Sequence, residues 1–149
     1  MRVRTAIAVW LALAAAACSR KPSWPPAAAA VHLGEDACGS CRMIISDERF
    51  GAQLHQRGGP VVQFDDLGCL LRALPPGGVD PVAIFVRGYP GGAWLRGDRA
   101  HVVRAHGFDA PMGSELAAFA TREEAAAEAA RHPGAVAQPL SDLLERSRR

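Results

Sequence analysis

The sequence predicts an α+β fold, because its apolar pattern switches between a two-residue and a helical rhythm along the chain. Residues 51–56 set Ala52 and Leu54 between polar neighbours, the alternation of a half-buried strand. After the turn residues Arg57-Gly58-Gly59-Pro60, the run 61–64 returns as a second strand, which makes a hairpin. Thr121-Arg122-Glu123-Glu124 has the form of a capping box, with Thr at N-cap and Glu at N3, and residues 125–131 continue it as a helix.

The first elements concern compartment. Arg2 and Arg4 precede an apolar run over residues 6–17, the two parts of a signal peptide. That run is too short to span a bilayer. Small residues stand directly before Cys18, and this resemblance to bacterial lipoprotein signals implies cleavage of residues 1–17, with lipid on the Cys18 sulfur. The plainer alternative is secretion with cleavage after an Ala-x-Ala, which leaves Cys18 incidental. Ser19 follows the cysteine where an aspartate commonly directs inner-membrane retention, so the outer membrane is preferred. Residues 18–31, with Pro22, Pro25, Pro26 and a run of alanines, read as an extended tether, and the domain is taken as residues 32–149.

Within that domain, strands are expected from residue 41 to 56 and over 61–64. Asp65 or Asp66 then caps a helix over 67–74, stopped by Pro75-Pro76-Gly77-Gly78. Residues 82–86 form a compact apolar strand. Short strands follow at 93–95 and 101–105, a loop at 110–114, a strand at 116–120 and the capped helix ended by Pro133-Gly134. A last strand at 136–138 and a short helix at 141–146 complete the chain. The second half thus repeats the strand–helix–strand order of the first.

Charge excludes one class of partner. The chain has 17 basic and 15 acidic residues, and loss of Arg2 and Arg4 balances them. No basic patch interleaved with aromatics is present, so no nucleic-acid partner is expected. Of four cysteines, Cys18 goes to lipid and three remain. An odd number cannot all pair, so at least one thiol is free or bound to metal.

The chemistry gathers at Cys38-Gly39-Ser40-Cys41-Arg42-Met43, which sets three sulfur side chains in six residues. If residues 42–45 are extended, as Ile44 and Ile45 favour, Cys41 and Met43 project from one face of a strand. A thiolate beside a thioether is a soft pair that selects Cu(I). Cys38 is left open between a further ligand, a disulfide partner of Cys41 and a bystander. Cys69, in the first turn of the expected helix, reads as core. His101 and His106 read as exposed or satisfied rather than as ligands, and Asp65 and Asp66 as helix caps.

Several blocks carry a family resemblance: Cys41-Arg42-Met43-Ile44-Ile45, Phe50-Gly51-Ala52-Gln53-Leu54, Phe64-Asp65-Asp66-Leu67-Gly68-Cys69, and Ala110-Pro111-Met112-Gly113-Ser114 with Ala118-Phe119. In this order, over residues 38–140, they resemble the NosL family, accessory lipoproteins of nitrous oxide reductase. The resemblance implies two ββαβ-type lobes and a membrane-anchored periplasmic Cu(I) carrier rather than an enzyme. It maps the family's C-x-M onto Cys41 and Met43, and the methionine of its P-M-G onto Met112. It further implies, as partners, apo-nitrous oxide reductase or its copper-assembly transporter and periplasmic partner. One thiolate and two thioethers suit Cu(I), a d¹⁰ ion without a ligand-field demand. The alternative from another class is a periplasmic thiol–disulfide oxidoreductase using Cys38 and Cys41. A zinc module of Cys38, Cys41, Cys69 and a histidine leaves both methionines unexplained.

Overall fold

The computed structural model describes residues 24–75 and 82–149. The signal peptide, Cys18 and the start of the tether lie outside the described residues, as does the Pro76-Gly77-Gly78 part of the helix stop.

Two antiparallel sheets organise the chain. β1 (Ala52–Gln56) is flanked by β2 (Val61–Phe64) and β3 (Val82–Arg87), and β4 (Trp94–Arg96) pairs with the outer edge of β3. In the second sheet β5 (His101–Arg104) is flanked by β6 (Leu116–Phe119) and β7 (Val136–Pro139). Helix α1 (Leu67–Ala73) joins β2 to β3, and α2 (Arg122–Ala129) joins β6 to β7. Each lobe therefore contains the expected ββαβ unit, and in each the first strand lies between the other two. Helix α3 (Leu140–Ser147) closes the chain.

Side-chain alternation divides the core. In the second sheet Val102, Leu116 and Ala118 face the main core, which they share with Leu54, Phe64, Leu70 and Val86 of the first lobe. Val103, Ala117 and Phe119 point the other way, into a smaller core with Phe50, Phe108 and Ala125 of α2. Both faces of this sheet are covered, which is why Leu116–Phe119 carries no polar alternate. Leu140, Leu143 and Leu144 bring α3 onto the main core. Gly88 bridges to Ala118, and the Tyr89 N–H donates to the Ala118 carbonyl at 2.8 Å, so the lobes are joined by backbone as well as by packing.

The chain departs from its sequence reading in two places near β1. Residues 41–56 read as strand throughout, yet before β1 there is only the bridge Ala37–Ile44 and a 3₁₀ turn at Glu48–Phe50. The polar face of β1 is also buried. Gln53 and His55 are almost wholly enclosed, and the end of the proline–alanine segment lies along Gln53. Gln53 exchanges two hydrogen bonds with the backbone of Ala29, at 2.9 and 2.8 Å, and its Oε1 lies 3.0 Å from His55 Nε2. Gln63 donates to the Ala30 carbonyl in the same way. Among the described residues no helix is long and apolar enough to cross a membrane.

The capping box read from sequence is formed in full: Thr121 Oγ1 accepts from Glu124 N–H at 3.1 Å, and Glu124 Oε2 accepts from the Thr121 N–H at 3.2 Å. We expect Thr121→Ala to lower stability by about 1 kcal/mol. Urea unfolding checks this, and an unchanged midpoint at unchanged slope would show that the cap contributes nothing.

Candidate metal site

The C-x-x-C segment forms the tip of a tight hairpin. Cys38 N–H donates to the Met43 carbonyl at 2.8 Å, and Arg42 N–H returns to the Cys38 carbonyl at 3.0 Å. Closing so short a loop places Arg42 in the left-handed region, at φ 67°. A left-handed residue reverses the chain direction, so the expected extended run over 42–45 is not formed, and Cys41 and Met43 do not share one face of a strand. Cys41 leans on the main core, whereas Met43 is 60% exposed. The arginine has no glycine-like freedom at this φ, and such a conformation persists only where its surroundings fix it.

Those surroundings are β2. Gly39 N–H donates to the Gln63 carbonyl at 2.8 Å, and a Cβ at Gly39 would lie 2.3 Å from Val62 Cγ1. Glycine is required there by close approach, since its φ is not positive. The hairpin therefore lies flat on β2 and carries Cys38 into the core beside α1.

Helix α1 brings the third thiol. Asp66 is its N-cap, with Oδ1 accepting from Cys69 N–H at 2.8 Å. Helical side chains tilt towards the N-terminus, so Cys69 in the first turn reaches back towards the hairpin. The sulfurs of Cys38, Cys41 and Cys69 all lie within 4.8 Å of one another, and all three thiols are free. Metal–thiolate bonds of about 2.3 Å set the sulfurs of a trigonal site about 4 Å apart, so small side-chain rotations close this cluster on an ion. Cys38 and Cys69 are wholly buried and Cys41 is partly exposed, which makes Cys41 the way in.

The environment separates the thiols. Burial pushes the Cys38 thiol up, but the N–H groups of Asp65, Cys41 and Ser40, with the Cys41 thiol, act on its sulfur and bring it below the ordinary thiol range. Cys69 is pushed up to about 12 by burial and then by Cys38, Asp66 and Cys41. Arg72 Nη2 sits 3.1 Å from the Cys69 sulfur.

The same Asp66 reaches the loop at 110–114: its Oδ2 accepts from Met112 N–H at 3.2 Å. Close packing of that loop needs Gly68, where a Cβ would stand 2.6 Å from Ser114 Cβ. Met112 is 39% exposed, so its backbone is tied to the site while its side chain remains open to solvent. The structure thus gathers Cys41 with Cys38 and Cys69, and links the Met112 segment to them through one carboxylate. Cys69 is core, as expected, and its sulfur also meets the other two; the odd cysteine count was the available signal. The histidines stand outside the cluster: His106 pairs with Glu115 at 2.5 Å, and His101 lies on β5.

Residues 30–143 match the NosL family. The fold is similar to the crystal structure of the copper chaperone NosL from Shewanella denitrificans, at 20% identity and a TM-score of 0.65. That likeness covers 79% of this chain and 96% of the other. No curated protein matches the chain.

Asp65 yields a prediction of its own. Its carboxyl is buried, Oδ1 has no partner, and burial, then the Asp66 and Asp47 charges, push it above the usual carboxylate range. The folded chain therefore binds this proton more readily than the unfolded chain does, and ionisation costs stability as pH rises through the carboxylate range. Asp65→Asn should stabilise the protein by about 1 kcal/mol at pH 7, with the gain vanishing below pH about 4. Thermal unfolding at both pH values checks it, and a gain that persists in acid would assign the effect to packing instead.

With a family pattern spanning most of the chain and a matching fold around its sulfur cluster, the chain belongs to the NosL family.

Proposed function

We propose that the protein is a periplasmic Cu(I) carrier, anchored to the membrane through lipid on Cys18, that delivers copper for assembly of the nitrous oxide reductase copper centres. The observation that carries the copper reading is Cys41: a half-buried thiol at the mouth of a group of three free sulfurs within 4.8 Å. Soft donors of this kind prefer a monovalent d¹⁰ ion to harder divalent cations. Family membership supports the same cargo, since the NosL protein of like fold is a copper chaperone.

In this reading Cys41, Met43 and Met112 hold Cu(I) where an acceptor can reach it. Met43 follows Cys41 on the same hairpin, and Met112 is held by its N–H on Asp66, the residue that also caps α1 beneath Cys69. One thiolate and two neutral thioethers leave a site with no net charge. Copper then leaves by ligand exchange, one sulfur at a time, without unfolding the carrier. The recipients are apo-nitrous oxide reductase or the copper-assembly transporter and periplasmic partner that serve it. No catalytic step belongs to this role.

Disulfide exchange fits less well. The activated thiol must reach a partner's disulfide, yet Cys38, whose thiol is the one brought down, is wholly buried. The C-x-x-C lies in a hairpin tip rather than at a helix N-terminus.

Chelator competition on the reduced protein tests the reading. Cys41→Ser should lower Cu(I) affinity by roughly 100-fold. Met43→Leu and Met112→Leu nearly conserve volume and should each slow copper release to the chelator several-fold while leaving the fold intact. Wild-type affinity in Cys41→Ser, or wild-type release in both methionine variants, contradicts the proposed ligand set.

A further inference from the structure

A carrier that works through Cys41, Met43 and Met112 leaves Cys38 and Cys69 without a task. Core packing does not account for them. Filling space needs apolar volume, and it does not require three sulfurs to meet at one point with two of them wholly out of solvent. The Arg72 guanidinium lies 3.1 Å from the Cys69 sulfur and faces the cluster with a positive charge. Cys38 and Cys69 belong to the same buried core as Ile45, Phe64, Leu67 and Leu70, and Cys41 packs against it.

Resting on the carrier reading, we infer that Cys38, Cys41 and Cys69 form a second, inner Cu(I) position, and that Cys41 belongs to both positions. Thiolates hold Cu(I) more firmly than thioethers do, so the inner position is where the ion rests. The outer set of Cys41, Met43 and Met112 is where it enters and leaves. Movement between them needs no oxidant or reductant, because copper stays monovalent throughout. Each step forms one Cu–S bond and breaks one while Cys41 stays attached, and thiols that join the ion release their protons to solvent. A carrier with both positions holds its cargo away from stray thiols and still offers it to an acceptor at the surface.

Selenomethionine labelling separates the two positions, since only the outer one contains Met sulfur. The reduced, labelled protein is given one equivalent of Cu(I) and examined by X-ray absorption at the copper and selenium edges. The unsubstituted chain should show three sulfur neighbours and no Cu–Se scattering. In Cys38→Ala/Cys69→Ala, Cu–Se scattering should appear and affinity should fall roughly tenfold. Cu–Se scattering in the unsubstituted chain at one equivalent would overturn the inner position and leave the carrier reading intact. Copper bound to the labelled double variant without Cu–Se scattering would instead strike the Met43 and Met112 assignment. Should the double variant not fold, the unsubstituted chain decides alone.

Discussion

The carboxylate of Asp66 ties together the parts of this molecule that matter. Fully buried, it accepts the N–H of Cys69 with one oxygen and the N–H of Met112 with the other. These residues are far apart in sequence, one in the first turn of α1 and one in a loop between β5 and β6. A buried carboxylate left with one partner would carry a large desolvation cost, so capping the helix and seating the loop are coupled. The close approach of Gly68 to Ser114 enforces the same alignment sterically.

The other half of the site depends on a matching approach. Gly39 lays the cysteine hairpin on β2, and the shortness of that hairpin puts Arg42 in a left-handed conformation. Cys38 is then inside, Cys41 at the boundary and Met43 outside. This gradation of exposure over six residues is what allows one segment to serve both a buried cluster and a surface exchange point. The two ββαβ lobes supply the rigidity, and the shared core between their sheets keeps the loop of one lobe against the helix of the other.

Much of this was legible in the residues. The 51–64 hairpin, the helix after Asp65-Asp66, the capping box at Thr121 and the succession of strands and helices along the chain followed from periodicity and turn chemistry, which are local. What was not legible depended on contacts between distant segments. Arg42 has no side-chain preference for positive φ, so Ile44 and Ile45 pointed to a strand that the hairpin closure prevents. Gln53 looked like the solvent face of β1 because its cover comes from Ala29, more than twenty residues earlier in the chain. Cys69 looked like core, and it is core; that its sulfur also meets two others depends on how α1 crosses the hairpin, which no local pattern encodes. The thiols and methionines were named from the sequence, but their grouping around one carboxylate was not.

The central claim is that copper bonds to the thiol at the boundary of the cluster. Anomalous diffraction at the copper edge, on crystals of the reduced protein loaded with Cu(I), tests it most directly. The account predicts a peak within bonding distance of Cys41 Sγ. A copper peak elsewhere on the protein, with Cys41 Sγ unbonded, would contradict it.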